Sequence, residues 1–83
     1  LFLAQKMLED ARESYLIITN KYSDHKRAPD ALYKLGEIAV SLGDGLAAED
    51  YFKSVINTYP NSAAAQLAKK SLENIQEESN LID

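Results

Sequence analysis

At 83 residues and 46% hydrophobic content, the chain is long enough for one hydrophobic core and too short for two, so it reads as a single domain over residues 1–83. Its formal charge is −4, with 9 Lys and Arg dispersed among 13 Asp and Glu. No basic stripe can neutralise consecutive phosphates, and nucleic acid is not an expected partner.

The chain opens on Leu1 rather than Met, which reads as a domain excised from a longer protein, so its start carries no information about targeting. Cysteine is absent. Disulfides and thiolate metal sites are therefore not available, and secreted, periplasmic and cytosolic settings all stay open. No apolar run approaches the roughly 18 residues that span a bilayer, so direct membrane insertion is not expected.

Ala4, Leu8, Ala11, Tyr15, Ile18 and Tyr22 recur at steps of four and three, which predicts an amphipathic helix over about 2–22. The polar stretch Ser23, Asp24, His25, Lys26 and Arg27 breaks it, because Ser and Asp bond local backbone and favour turns. Ala28, Leu32, Leu35, Ala39 and Leu42 repeat the spacing over about 26–42, with Pro29 tolerated in the first turn. Gly43, Asp44 and Gly45 then stop one helix and start another: glycine suits a left-handed residue, and an Asp carboxylate can cap. So short a connection folds helix three, about 46–59, back antiparallel on helix two. Its buried stripe is Ala48, Phe52, Val55, Ile56 and Tyr59. Pro60 ends it, Asn61 or Ser62 offers the next cap, and helix four, about 63–77, buries Ala65, Ala68, Leu72 and Ile75. The polar tail from Glu77 to Asp83 is expected to fray. No segment alternates as a strand does, and the chain reads as all-α.

Sliding the sequence on itself by 37 residues (59 − 22, Tyr59 over Tyr22) superposes Ala11 on Ala48, Asn20 on Asn57, Ala28 on Ala65, Ala31 on Ala68, Leu35 on Leu72 and Ile38 on Ile75. Tyr15 over Phe52 and Ile18 over Val55 extend the match, and nearly all these pairs lie on expected buried faces. Within one unit, Leu32, Leu35, Gly36, Ala39, Ala48, Phe52, Val55 and Pro60 resemble the tetratricopeptide repeat pattern of large, Leu, Gly, large, Ala, aromatic, Ala, Pro. Ala39 and Val55 depart from it, in bulk and in smallness respectively. Each matching type has a steric reason. Gly36 and Ala48 allow two backbones to approach, Phe52 fills the space beside them, and Pro60 turns the chain. The resemblance implies antiparallel helix pairs in an α-α superhelix, four helices in all, and a protein or peptide as partner.

The interval of 37 exceeds the roughly 34-residue minimal unit, and the excess falls in the junction from Pro60 to Ala65. Tyr59-Pro60-Asn61-Ser62, with the segment from Ala28 to Gly36, is similar to the C-terminal repeat domain of the YbgF (CpoB) family of the Tol-Pal system. The BamD type of outer-membrane assembly lipoprotein is the second resemblance. They imply a periplasmic, cell-envelope scaffold, with TolA-like and cell-wall-synthesis partners on the first of the two resemblances.

Catalysis has little to build on. The one histidine, His25, falls in a polar turn, and neither a Cys nor a Gly-rich phosphate loop accompanies it. Glu9 and Glu13 share a helix face, but no third ligand has matching spacing, and a solvated face explains them and the Glu49–Asp50 pair. No enzyme activity, cofactor or metal is expected.

Of the five tyrosines, Tyr15, Tyr22 and Tyr59 lie on expected buried stripes, whereas Tyr33 and Tyr51 do not. In a tetratricopeptide stack the first helix of each pair lines a concave groove. The register of the resemblance places Asp30, Tyr33, Glu37 and Ser41 there on helix two, with Leu67, Lys70, Asn74 and Glu78 as their counterparts on helix four. In that groove Tyr33 is the aromatic anchor, Glu37 an acceptor, and Lys70 or Asn74 the donors; an ordinary solvated surface is the competing account of each. The Lys and Asn pattern with which some tetratricopeptide co-chaperones clamp a C-terminal carboxylate does not match these positions. Helix one reads as the second helix of a preceding pair, and its face with Phe2, Leu3, Leu16 and Ile17 is expected to mediate self-association. The alternative is a structural or oligomerisation module with no groove.

Overall fold

The structure, a computed structural model, describes the backbone of residues 2–22, 24 and 26–82, and the side chains of residues 3–22, 24 and 26–76. Ser23 and His25, the side chain of Phe2, and the side chains of the tail that includes Glu78 lie outside the described residues. Four helices follow in order: α1 (Phe2–Lys21), α2 (Ala28–Ser41), α3 (Gly45–Thr58) and α4 (Ala63–Ile82). No strand occurs among the described residues, and the fold is all-α. Each helix packs on its neighbours in sequence, and α2 also touches α4. The result is a slab of 40 × 35 × 15 Å.

The turns hold this arrangement by closing the helix ends. Gly43 takes φ +81°, the left-handed region where a side chain would strain the backbone. Its N–H donates to the Val40 carbonyl at 3.0 Å, and the Asp44 N–H donates to the Ala39 carbonyl at 2.8 Å. This pair of bonds is the Schellman closure of α2. The Asp44 carboxylate then accepts from the Ala47 N–H at 3.2 Å and caps α3. Between α3 and α4 the two candidate caps resolve in favour of Ser62, whose hydroxyl accepts from the Ala65 N–H at 3.1 Å and donates to the Tyr59 carbonyl at 2.7 Å. α4 runs on to Ile82, past the end near residue 77 that the polar composition suggests. No Pro or Gly follows Ile75, and Glu, Gln, Ser and Asn do not by themselves break a helix.

The core cluster joins Ala39 of α2, Ala48, Phe52 and Val55 of α3, and Ala64, Ala65 and Ala68 of α4. Ala28, Ala31, Leu35 and Ile38 are also buried but belong to the other side of α2, where α1 packs. Ala64 is buried as well as the expected Ala65, because α4 meets α3 and α2 together. The α1 stripe differs from expectation. Leu8, Ala11, Tyr15 and Ile18 are only half-buried, Ala4 is exposed, and Tyr22 is 57% exposed rather than a core residue. A helix with one neighbour covers only part of its stripe, and α1 packs on α2 alone.

α2 and α3 approach closely at Gly36. A Cβ built there would overlap the Phe52 ring, lying 2.7 Å from Cδ1 and 2.8 Å from Cζ and nearest of all to Cε1. The ring, 1% exposed, thus rests on the Gly36 backbone, one residue along from Leu35. We expect Gly36→Ala to lower stability by about 1–3 kcal/mol, the scale of an overpacked core. Adding Phe52→Leu should relieve the overlap, so urea melts of the two variants should be less than additive; strict additivity would sink this account of the crossing.

Candidate functional site: the face between α2 and α4

Because α2 and α4 lie side by side with α3 behind them, the seam between them forms a concavity floored by α3. Glu37, Val40 and Ser41 of α2, Phe52 of α3, and Ser71, Asn74 and Ile75 of α4 line a cavity of about 320 Å³ there. Phe52 and Ile75 supply the apolar floor, while the rim carries a carboxylate, two hydroxyls and an amide. Such a mixture suits a peptide: apolar surface for affinity, and hydrogen-bonding groups for orientation.

Three of the residues assigned to the groove from sequence, Glu37, Ser41 and Asn74, meet at this cavity. Tyr33 stands beside it in a structural role as well. Its ring packs against Phe52 at a centroid distance of 5.5 Å with a 42° tilt. Its hydroxyl and the Ser71 Oγ, 3.3 Å apart, share a hydrogen bond that ties α2 to α4. Tyr33 and Tyr51 are both half-buried against the core cluster, although neither sits on the stripes read from sequence. Asp30 lines a different cavity, toward α1, with Tyr15, Ile18, Arg27, Ala31 and Lys34. Lys70 is exposed on α4 and is not among the residues lining the α2–α4 cavity.

Ser71 and Val40 complete the walls, and Ile75 joins Phe52 in the floor. Ile75 was legible only as core, and Ser71 gives no polar signal distinct from any solvated serine. Val40 carries a usable clue, being an apolar residue 51% exposed at the open edge.

Glu37 is not a free acceptor. The Lys34 ammonium donates to its Oε1 at 3.0 Å, one turn back on the same helix. This hydrogen bond, and then the carboxylate's charge, raise the Lys34 pKa above its ordinary value. Any stabilisation from the pair is present below the unfolded-state pKa of Lys and is lost as pH rises through the folded one. With side chains 55% and 44% exposed, water screens the pair and its contribution is small.

Residues 30–62 match the family model described as Tetratricopeptide repeat. The match covers α2 from Asp30 onward and all of α3, including Leu32, Leu35, Gly36, Ala48 and Phe52, and the Pro60 that follows. Comparison with curated proteins and with solved structures returned no match. The all-α stack therefore carries a tetratricopeptide repeat, a unit that generally serves as a non-catalytic protein–protein interaction module and presents extended concave surfaces to partners. Among the described residues, no group of three or more His, Cys, Asp or Glu could hold a metal ion, and no helix is long and apolar enough to cross a membrane.

The two roles of Tyr33 can be separated. Tyr33→Phe keeps the ring on Phe52 and removes only the bond to Ser71, so thermal melts should show a loss of about 0.5–1.5 kcal/mol. Tyr33→Ala should cost roughly 3 kcal/mol or more, as deletion of a packed aromatic does; equal losses from the two would show that the ring contact contributes nothing.

Proposed function

We propose that this chain is a protein-binding scaffold of the bacterial cell envelope, located in the periplasm, which holds a peptide or helix of a TolA-like partner along the α2–α4 face. The observation that carries the binding reading is the cavity with Phe52 and Ile75 as floor and Glu37, Ser41, Ser71 and Asn74 at its rim. The envelope assignment is supported by the strings Tyr59-Pro60-Asn61-Ser62 and Ala28–Gly36 and their similarity to the YbgF (CpoB) family; a BamD-like assembly role is the alternative they allow. In this reading Glu37, Ser41 and Asn74 contact the partner directly. Tyr33 holds the two walls at their spacing, and Asp30 and Lys70 contribute long-range charge at the margins.

The test is titration of a purified TolA-like periplasmic domain against the chain and its Glu37→Lys/Asn74→Ala variant. Both positions are only partly buried or exposed, so the variant should keep its helical circular dichroism while affinity falls by about tenfold or more, equivalent to ~1.4 kcal/mol. Unchanged affinity in a folded variant would favour a structural bundle with no groove.

Self-association through α1 is a second reading, favoured by Leu3, Met7 and Ile17 at 70%, 65% and 52% exposure. Sedimentation should then show a concentration-dependent dimer that Ile17→Lys weakens, and a clean monomer at high concentration would remove the idea.

A further inference from the structure

The turn between α2 and α3 combines the features that let a backbone react with its own side chain. Asp44 is followed by Gly45, and no other Asp-Gly or Asn-Gly step occurs in the chain. A five-membered ring closes when the amide nitrogen of the next residue attacks the aspartyl Cγ, and that attack has the proximity advantage of a tethered nucleophile. Glycine offers the nitrogen with no Cβ to hinder its approach. Gly43, Asp44, Gly45 and Leu46 are all exposed, and a Cβ built at Gly43 or Gly45 would meet nothing within 4 Å. No neighbouring element obstructs the rotation that ring closure requires.

Hydrogen bonding separates this step from the other turn that could cyclise. The first N–H groups of a helix have no partner within it, and the Gly45 N–H, which opens α3, donates to nothing among the described residues. In the α3–α4 turn Asn61 is also exposed, but the N–H of the following Ser62 is engaged by the Tyr59 carbonyl at 3.1 Å. The Asp44 carboxylate already lies over the first turn of α3, where Oδ1 accepts from the Ala47 N–H at 3.2 Å. That solvent-exposed bond is the only hold on the side chain among the described residues.

We propose that Asp44–Gly45 is a self-modification site, at which the native turn isomerises to isoaspartate and thereby uncaps α3. The Gly45 nitrogen forms a bond to Asp44 Cγ of the neutral carboxyl, whose hydroxyl leaves with the amide proton as water, and a succinimide remains. Water then adds to the ring, and cleavage between the Gly45 nitrogen and the former main-chain carbonyl carbon of Asp44 leaves the chain running through Cβ and Cγ. One water is lost and one regained, with no change of mass or oxidation state. The main chain is one methylene longer, and the old carbonyl has become a carboxylate on Cα. Three bonds lose their register: the cap to Ala47, the Asp44 N–H to the Ala39 carbonyl at 2.8 Å, and the Ala48 N–H to the Asp44 carbonyl at 3.0 Å. Ala48 is buried and begins the stripe that carries Phe52, so the change acts on the α2–α3 crossing. This inference is independent of what the α2–α4 face binds.

The test ages the 83-residue chain for weeks at neutral pH and body temperature, both native and in guanidinium chloride. Trypsin releases residues 35–53, bounded by Lys34 and Lys53. Isoaspartate in that peptide is read by radiolabelled methylation with an isoaspartyl carboxyl methyltransferase and located by electron-transfer fragmentation. Native and denatured chains should convert Asp44 at rates within about tenfold of each other, or ~1.4 kcal/mol in barrier, whereas folding should slow deamidation of Asn61 by more than that. Gly45→Ala should slow conversion of Asp44 by about tenfold. Asp44→Ser keeps a capping hydroxyl but has no carboxyl to close the ring, and should form no isoaspartate. The converted protein, separated by chromatography, should melt roughly 4–8 °C lower, the shift expected when a domain of this size loses one cap; aged Asp44→Ser should melt where fresh Asp44→Ser does. A native chain that forms no isoaspartate while the denatured chain does, conversion indifferent to Gly45→Ala, or a converted protein with unchanged Tm would overturn the proposal.

Discussion

The seating of the Phe52 ring on the bare backbone of Gly36 is the constraint on which the rest of the architecture depends. It sets how near α2 and α3 lie, and with them how α4 must cross both. A benzyl group that keeps only 1% of its surface exposed removes apolar area worth roughly 1.5–3 kcal/mol from water, and the missing Cβ opposite is what makes room for it. Tyr33 extends the contact, because the same ring that fills the crossing supports the tyrosine whose hydroxyl reaches Ser71. One aromatic side chain therefore links three helices, and the α2–α4 cavity exists because its floor is this ring.

Where residue type and local geometry coincide, the sequence is easy to read. Gly43 and Asp44 announce a helix stop and start through backbone conformation and capping chemistry alone, and the hydrogen bonds they make are local. The buried faces of α2 and α3 follow from spacing because both helices are flanked on two sides. α1 shows the limit of that logic. Its stripe is as regular as the others, yet periodicity reports which residues could be buried, and burial needs a neighbour. Tyr22 is accordingly exposed and Tyr15 half-covered.

The groove was legible in part for a related reason. Glu37, Ser41 and Asn74 converge because the repeat register determines which helix edges face one another. Asp30 parts from them, since 30 and 41 lie three turns apart and the α2–α4 cavity reaches back along α2 no further than Glu37, while Asp30 lines only the α1 side. Tyr33 looked like a surface anchor from spacing alone. Its attachment to Phe52 and Ser71 depends on the interhelical distance set by Gly36, which a helical-wheel argument does not contain. Ser71 and Ile75 show the same gap from the other side, since each is ordinary in sequence and significant only through what stands opposite.

A thin slab in which helices touch mainly their sequence neighbours has few contacts that bind one end to the other. Cooperativity must then travel from helix to helix, each interface transmitting order only as far as its own strength allows. Amide protons of α1, secured by a single interface, can open and exchange while α2, α3 and α4 remain folded around the central ring. Native-state fluctuation in this protein is thus graded along the chain, with its quiet centre at the α2–α3 hairpin.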